Sequence, residues 1–285
     1  MERSFESTVS VPANFLTWRY SLASAPIFDQ PHYDLLDHAR GDVVSRLLAE
    51  LGPQASLKTA IDVGCGLGYF SRLLQSRGMQ VTAVDGRLQN VQEAQRRSAS
   101  VRVAQYNAED PQLLSLGTFD LGFCFGLLYH LENPLLTIRN LKALTAKVLL
   151  VEGVIFPGDE PIMALIDEES HEDQGLNHIA FYPTETCLIK MLYKAGFKNV
   201  FGLTRQPEHE HYHSVNGGRR VRTLLAASDL AISSSQLVRL NEASSPIRPW
   251  DPMSGTTRKT DALSRFTAKS LPEKVKSIKR IIKTR

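Results

Sequence analysis

Apolar positions along this chain fall into blocks whose period switches between helical and strand-like. Over residues 33–51, YDLLDHARGDVVSRLLAEL, they recur every three to four residues and predict a helix. KTAIDVG, 58–64, is a continuous apolar run that predicts a buried strand, followed by a helix around YFSRLLQSRG that Gly78 closes. QVTAVD (80–85) predicts a second strand, LQNVQEAQRRS (88–98) a second helix and VRVAQYN (101–107) a third strand. TFDLGFCFG (118–126) predicts a fourth strand, NPLLTIRNLKALT a helix with Pro134 in its first turn, and KVLLVEG (147–153) a fifth strand. Strands and helices in this alternation predict an α/β fold: a parallel sheet with helices on both faces.

The rhythm breaks over residues 154–182, an acidic, His-bearing insert without a clear period, of a length that favours a functional loop. TETCLIKMLYKAG then predicts a helix, and KNVFGLTR and RRVRTLLAAS two further strands. Residues 1–30 have no clear period and read as an arm over the core; 229–264, bearing Ser and Pro, read as a wrapping or flexible segment. Near the end, PEKVKSIKRIIKTR places Val275, Ile278, Ile281 and Ile282 on one helical face with basic residues opposite. Three regions result: an arm and helix (1–54), a central domain (55–228) carrying the insert 154–182 as a lid, and an extension (229–285) with a basic amphipathic helix.

Charge sharpens this division. Residues 258–285 hold ten Lys/Arg against two acids, a net +8, which leaves −5 for the rest of a chain whose net charge is +3. A mildly acidic body with a basic tail is not the uniformly basic profile of a nucleic-acid binder. No apolar run reaches the roughly 18 residues of a membrane span, and the first twenty residues do not read as a secretory signal. Cys65, Cys124 and Cys187 stand far apart without a CxxC pair, which suits a reducing cytoplasm and argues against a zinc site or disulfide framework. HEHYH (209–213) sets three His two apart, but in a polar loop without thiols, so no metal is expected there.

The chemistry concentrates in IDVGCGLGYF, 61–70, where a predicted strand runs into Gly64, Gly66 and Gly68 and then into a helix. Such a turn lets a nucleotide approach the backbone closely. Asp85, at the end of the next strand, is placed to bind ribose hydroxyls. A dinucleotide turn has the spacing G-x-G-x-x-G, but here Tyr69 occupies the third glycine's place. Asp62, two residues before the first glycine, would gain nothing from a pyrophosphate but would attract a cationic ligand such as S-adenosylmethionine.

With those residues in view, AIDVGCGLGYFS resembles motif I of the class I S-adenosylmethionine-dependent methyltransferases, and the resemblance extends over residues 55–227. VTAVDG is similar to their ribose-binding strand, YNAEDP to the loop that caps the adenine, and FDLGFCFGLLYHLENP to the fourth-strand motif beneath the methionine moiety. The resemblance implies a Rossmann-like seven-stranded methyltransferase sheet whose last strand is antiparallel, with S-adenosyl-L-methionine as cofactor. FGLLYHLENPL, VEG, the acidic insert and FYPTETCLIKMLYKAGFKNV are similar to a subgroup that contains the tRNA wobble-uridine carboxymethyltransferases and enzymes of sugar and natural-product pathways. The tRNA enzymes use a carboxylated cofactor held by basic and aromatic side chains ahead of motif I. Residues 20–42 depart from that pattern, lacking a comparable Trp/Lys set.

By this resemblance the cofactor-binding candidates are Asp62, Gly64, Cys65, Gly66, Gly68, Asp85, Ala108, Glu109, Phe125 and Tyr129. Asp62 could instead cap the following helix, Asp110 could take Glu109's place, and Phe125 could be a core aromatic. His130 and Glu152, at the carboxyl edge of the sheet, are the candidate catalytic bases for a hydroxyl acceptor. His171 and His178 in the insert, and Arg220 with its neighbours Arg219 and Arg222, are candidates to touch substrate. The reaction expected is methyl transfer to a hydroxyl of a sugar or other small metabolite, a small-molecule or glycan substrate, in the cytoplasm. tRNA is the second substrate considered, a non-catalytic module on the same fold the third possibility, and peripheral membrane contact through the C-terminal helix a further one. The sequence does not fix the oligomeric state.

Overall fold

Alternate residues of the central strands point into two separate apolar layers, and this period of two organises the chain. The computed structural model describes residues 27–168, 173–213 and 220–242. Its elements are α1 (Pro31–Ala55), β1 (Thr59–Val63), α2 (Tyr69–Ser76), β2 (Gln80–Asp85), α3 (Leu88–Arg97), β3 (Arg102–Gln105), β4 (Phe119–Phe125) and α4 (Pro134–Leu144). They continue as β5 (Thr145–Val154), β6 (Met163–Asp167), β7 (Ile179–Pro183), α5 (Glu185–Lys194), β8 (Asn199–Leu203), β9 (Arg222–Ser228) and β10 (Leu237–Leu240).

Leu121 and Phe123 of β4, with Val148 and Leu150 of β5, pack against Val44, Leu47 and Leu51 of α1. Cys124, Leu149 and Val151, of the opposite parity, pack on the other face against Ile138 and Leu141 of α4 and Leu188 of α5. Strands covered on both faces read as continuous apolar runs, which is why β1, β4 and β5 were legible in sequence.

The main sheet runs in the order β10-β8-β9-β5-β4-β1-β2-β3. β1, β2, β3, β4 and β5 pair in parallel, β9 lies antiparallel between β5 and β8, and β10 is antiparallel to β8. The sheet therefore has eight strands where seven were expected. The eighth, Leu237–Leu240, comes from the segment read as wrapping or flexible; it is four half-exposed residues at an edge, too short to show a period. The insert expected as a lid also contains two strands that its sequence does not show. β6 and β7 form a separate antiparallel hairpin, Met163↔Pro183 to Asp167↔Ile179, with alternate positions of β6 exposed. The predicted C-terminal helix and the arm before residue 27 lie outside the described residues. Among those described, no helix is long and apolar enough to cross a membrane.

Helix starts follow local chemistry. α1 begins at Pro31, whose fixed φ suits a first helical position. α5 is capped by Thr184, whose hydroxyl accepts the Cys187 N–H at 3.2 Å while donating to the Glu160 carbonyl at 2.6 Å, tying the helix to the insert. Leu149, fully buried between β4 and α4, tests the core: Leu149→Ala should cost about 2–5 kcal/mol in urea unfolding. Leu165→Ala, at a position 63% exposed on the hairpin, should stay within about 0.5 kcal/mol of the native protein.

Candidate active site

The turn after β1 takes the shape its glycines allow. Gly64, Gly66 and Gly68 have φ of 78°, 52° and 79°. A Cβ on Gly64 would also sit 2.8 Å from the Leu127 side chain, so both conformation and space demand glycine there. The Gly64 and Cys65 N–H groups donate to the Val84 carbonyl at 2.8 and 3.0 Å, fastening the turn to the end of β2. One residue on, Asp85 accepts from the Gly66 N–H (3.0 Å), the Arg87 N–H (2.8 Å) and the Asn90 amide (3.1 Å). Burial raises its carboxyl above the ordinary value, against the pull of those hydrogen bonds.

Above this turn lies a cavity of about 470 Å³, at the carboxyl ends of the strands. Gly64, Cys65, Gly66 and Asp85 line it, as do Ala108 and Glu109. Phe125, Tyr129 and His130 line it as well, together with Asp173–Asn177 of the insert. Polar bonds hold this part of the insert there. Tyr33 donates to Asp173 at 2.6 Å, Arg87 Nη2 donates to the Gln174 carbonyl at 2.7 Å, and His130 Nδ1 meets Glu168 Oε1 at 2.6 Å.

Several candidates sit elsewhere. Asp62 is 2% exposed and does not line the cavity; it accepts from the Ser71 hydroxyl at 2.6 Å, so its side chain serves the first turn of α2. Burial, only partly offset by Ser71, pushes its carboxyl up to about 7. Gly68 shapes the turn without lining the cavity, and Asp110 caps the 3-10 turn Pro111–Leu116 by accepting the Gln112 N–H. His178 is exposed at φ 58°, where its carbonyl accepts from the Glu168 N–H at 2.9 Å; it holds the hairpin end rather than facing the cavity. Arg220 pairs with Glu185, away from the cavity. His171 and Arg219 lie outside the described residues.

The largest correction concerns Glu152. It is fully buried, does not line the cavity and is saturated by partners. Arg40 Nη1 donates to it at 2.9 Å, Arg222 Nη1 at 3.0 Å and the Tyr212 hydroxyl at 2.5 Å. Burial alone would raise its carboxyl; Arg222 and Arg40 outweigh that and hold it below the ordinary value. An ionised, fully bonded carboxylate out of substrate's reach is no proton acceptor. What faces the cavity instead is the pair of arginines. Arg40 is also paired with Asp37, which lines the cavity too, and Arg222 Nη2 donates to the Tyr129 hydroxyl at 3.2 Å.

Arg40 and Tyr212 were not among the sequence candidates. Arg40 looks like an ordinary charge within a helix, and Tyr212 sits inside HEHYH, which draws the eye to its histidines. Among the described residues no three His, Cys, Asp or Glu side chains gather as a metal site. His209 Nδ1 accepts the His211 N–H at 3.2 Å and His213 Nε2 meets the Pro207 carbonyl at 2.9 Å, so the motif folds on itself and delivers Tyr212 to Glu152.

Two outcomes follow from these carboxylates. Glu152→Gln leaves two buried arginines poorly compensated and should cost about 3–5 kcal/mol. Because Glu152 is depressed when folded, its contribution is present above its ordinary value of 4.5 and fades as pH falls through the folded value. The variant's urea midpoint should therefore show a flatter acid limb than the native protein's. Asp62 has the opposite sign: folded, it keeps its proton up to about 7 against an ordinary 3.8, so it lowers stability as pH rises across that window. Asp62→Asn should gain on the native protein between pH 4 and pH 8; equal midpoints throughout would show that Asp62 ionises freely in the fold.

Comparison with known proteins places this architecture. Residues 36–200 match a family model described as a methyltransferase domain. The tRNA U34 carboxymethyltransferase of Actinobacillus succinogenes is 29% identical over 164 residues, 54% of this chain and 49% of that protein. The enzyme of the same name from Mannheimia succiniciproducens is 30% identical with the same coverage. The chain spans about half the length of the curated relatives it matches. Among solved structures, the N-terminal domain of EvdMO1 with SAH bound covers 68% of this chain and 81% of its own at a TM-score of 0.53 and 17% identity, a likeness of fold. The same domain in the presence of SAH and D-fucose gives a TM-score of 0.54, with 17% identity, 70% of this chain and 84% of its own. Since the family match covers more than half of the chain and takes in most of α1, the glycine turn, Asp85 and the insert, the chain belongs to the methyltransferase domain family.

Proposed function

We propose that this chain is an S-adenosylmethionine-dependent methyltransferase acting on a hydroxyl of a sugar or other small metabolite in the cytoplasm. The observation that carries the reading is that the glycine turn, Asp85 and His130 line one cavity. The cavity's size falls within the range of small-molecule sites, roughly 300–1,000 Å³. The residues fit the cofactor. Positive-φ glycines leave backbone open to a nucleoside, and Asp85 has roughly four acceptor sites, of which three are taken, leaving one for a ribose hydroxyl. Ala108 and Glu109, which line the cavity, would hold the adenine, and Phe125 and Tyr129, also lining it, the methionine moiety.

When bound, S-adenosylmethionine supplies an electrophilic methyl group whose C–S bond breaks, with its electron pair going to sulfur, as the acceptor's C–O bond forms. The chain's own work is positioning and proton handling. His130 takes the acceptor's hydroxyl proton on Nε2, since Nδ1 faces Glu168. Glu152, the other base considered, instead orients Arg40 and Arg222. Three buried cysteines without disulfides suit a cytoplasmic setting.

The second reading, a tRNA wobble-uridine carboxymethyltransferase, draws support from the relatives' names and from Arg40 and Arg222 at the cavity wall. Arg40 lies ahead of the glycine turn, where that subgroup holds an extra carboxylate. Against it, Asp37 and Glu152 already answer the two arginines charge for charge. The basic tail that would serve RNA lies outside the described residues.

Native mass spectrometry of the purified chain and calorimetric titration with S-adenosylmethionine test the reading. Micromolar binding of the ordinary cofactor is expected, and Asp85→Ala should weaken it by roughly 10- to 150-fold, the worth of a charge-assisted hydrogen bond. A carboxylated cofactor in the purified protein would select the second reading. No binding by well-folded protein would overturn both and leave a non-catalytic module.

A further inference from the structure

We infer that Glu168 is a positioning residue for His130: it holds the proton on Nδ1 and leaves Nε2 as the nitrogen that accepts a proton in the cavity. The inference rests on the proposed methyltransferase reading and adds a residue that the glycine turn and the sheet edge do not supply.

Glu168 follows β6 at the end of the hairpin, and its side chain is only 2% exposed. A buried carboxylate needs partners, and each of its oxygens has one. Oε1 lies 2.6 Å from His130 Nδ1, and Oε2 accepts the Gly175 N–H at 2.7 Å. Its own N–H donates to the His178 carbonyl at 2.9 Å, so backbone and side chain are both fixed. The imidazole is confined as well, its ring 4.1 Å from that of Tyr129. A carboxylate can only accept, so the shared proton belongs to Nδ1 and the Nε2 lone pair is left for a substrate proton.

Gly175 shows how closely the parts fit. A Cβ there would lie 2.5 Å from the His130 carbonyl oxygen and 2.8 Å from Glu168 Oε2. Only a glycine lets the chain pass between them while donating to the carboxylate. In the reaction the acceptor's hydroxyl proton moves to Nε2, the imidazolium is stabilised by the ionised Glu168, and that proton then passes to solvent. Glu168 is neither protonated nor consumed.

Two measurements on the full chain test this. Nitrogen-15 NMR of the native protein reads the His130 tautomer without any substitution; the neutral ring should carry its proton on Nδ1. Protonation on Nε2 would overturn the inference at once. Glu168→Gln keeps the side chain's shape and removes its charge. Its kcat should fall roughly 10- to 100-fold at unchanged acceptor KM, with cofactor affinity within about twofold of native. Gly175→Ala, which keeps the charge but crowds the contact, should lower kcat in the same way. Undiminished kcat in both variants would overturn the positioning role. If the native chain binds cofactor but transfers no methyl group to any acceptor, the methyltransferase reading fails, and the tautomer still decides whether Glu168 sets the ring.

Discussion

A single carboxylate, that of Glu152, sets much of the cavity's geometry. Removing an ion from water costs several kcal/mol even after relaxation, so its burial at the end of β5 is tolerable only with directional partners. Those partners come from far along the chain: Arg40 is 112 residues away, Arg222 70 and Tyr212 60. They bring α1, β9 and the turn before β9 to one point. Apolar packing alone lets a helix slide on a sheet with little change in buried area; a salt bridge at 2.9 Å does not. α1 is thereby fixed in position as well as attached, and Arg40, Arg222 and Tyr129 become one wall of the cavity.

The opposite wall is built differently. The glycine turn and Asp85 are held almost wholly by backbone groups, through Val84, Gly66 and Arg87. That difference explains how much of the site was legible in sequence. A backbone-built turn needs particular residues at particular local spacings, so Gly64, Gly66, Gly68 and Asp85 stand out within 25 residues of each other. The central strands were equally legible, because two-sided burial writes itself as a continuous apolar run.

What remained hidden was long-range or half-covered. Nothing local distinguishes Arg40 from any helix arginine, or Glu152 from a free base at a strand end; only the partners reassign it from proton acceptor to anchor. Asp62 was legible as important but not as to its task, since a carboxylate before a glycine turn can face a ligand or the next helix, and Ser71 decides. Glu168 was one acid among seven in the insert, and the structure alone singles it out by bringing it to His130. β10 and the hairpin escaped because one-sided, four- or five-residue strands leave too few positions for a period to show.

The charge of the surroundings bears on the acceptor. Residues 154–182 carry seven acids and no Lys or Arg, and Asp173–Asn177 of this insert line the cavity. The arginines beneath are already answered by Asp37 and Glu152. In that wall a polyanion would find both arginines already paired. Polyanion affinity depends on releasing counterions to exposed basic groups. In this chain such groups are concentrated in residues 258–285, outside the described fold. The paired arginines thus support the proposed small neutral acceptor over a polyanion.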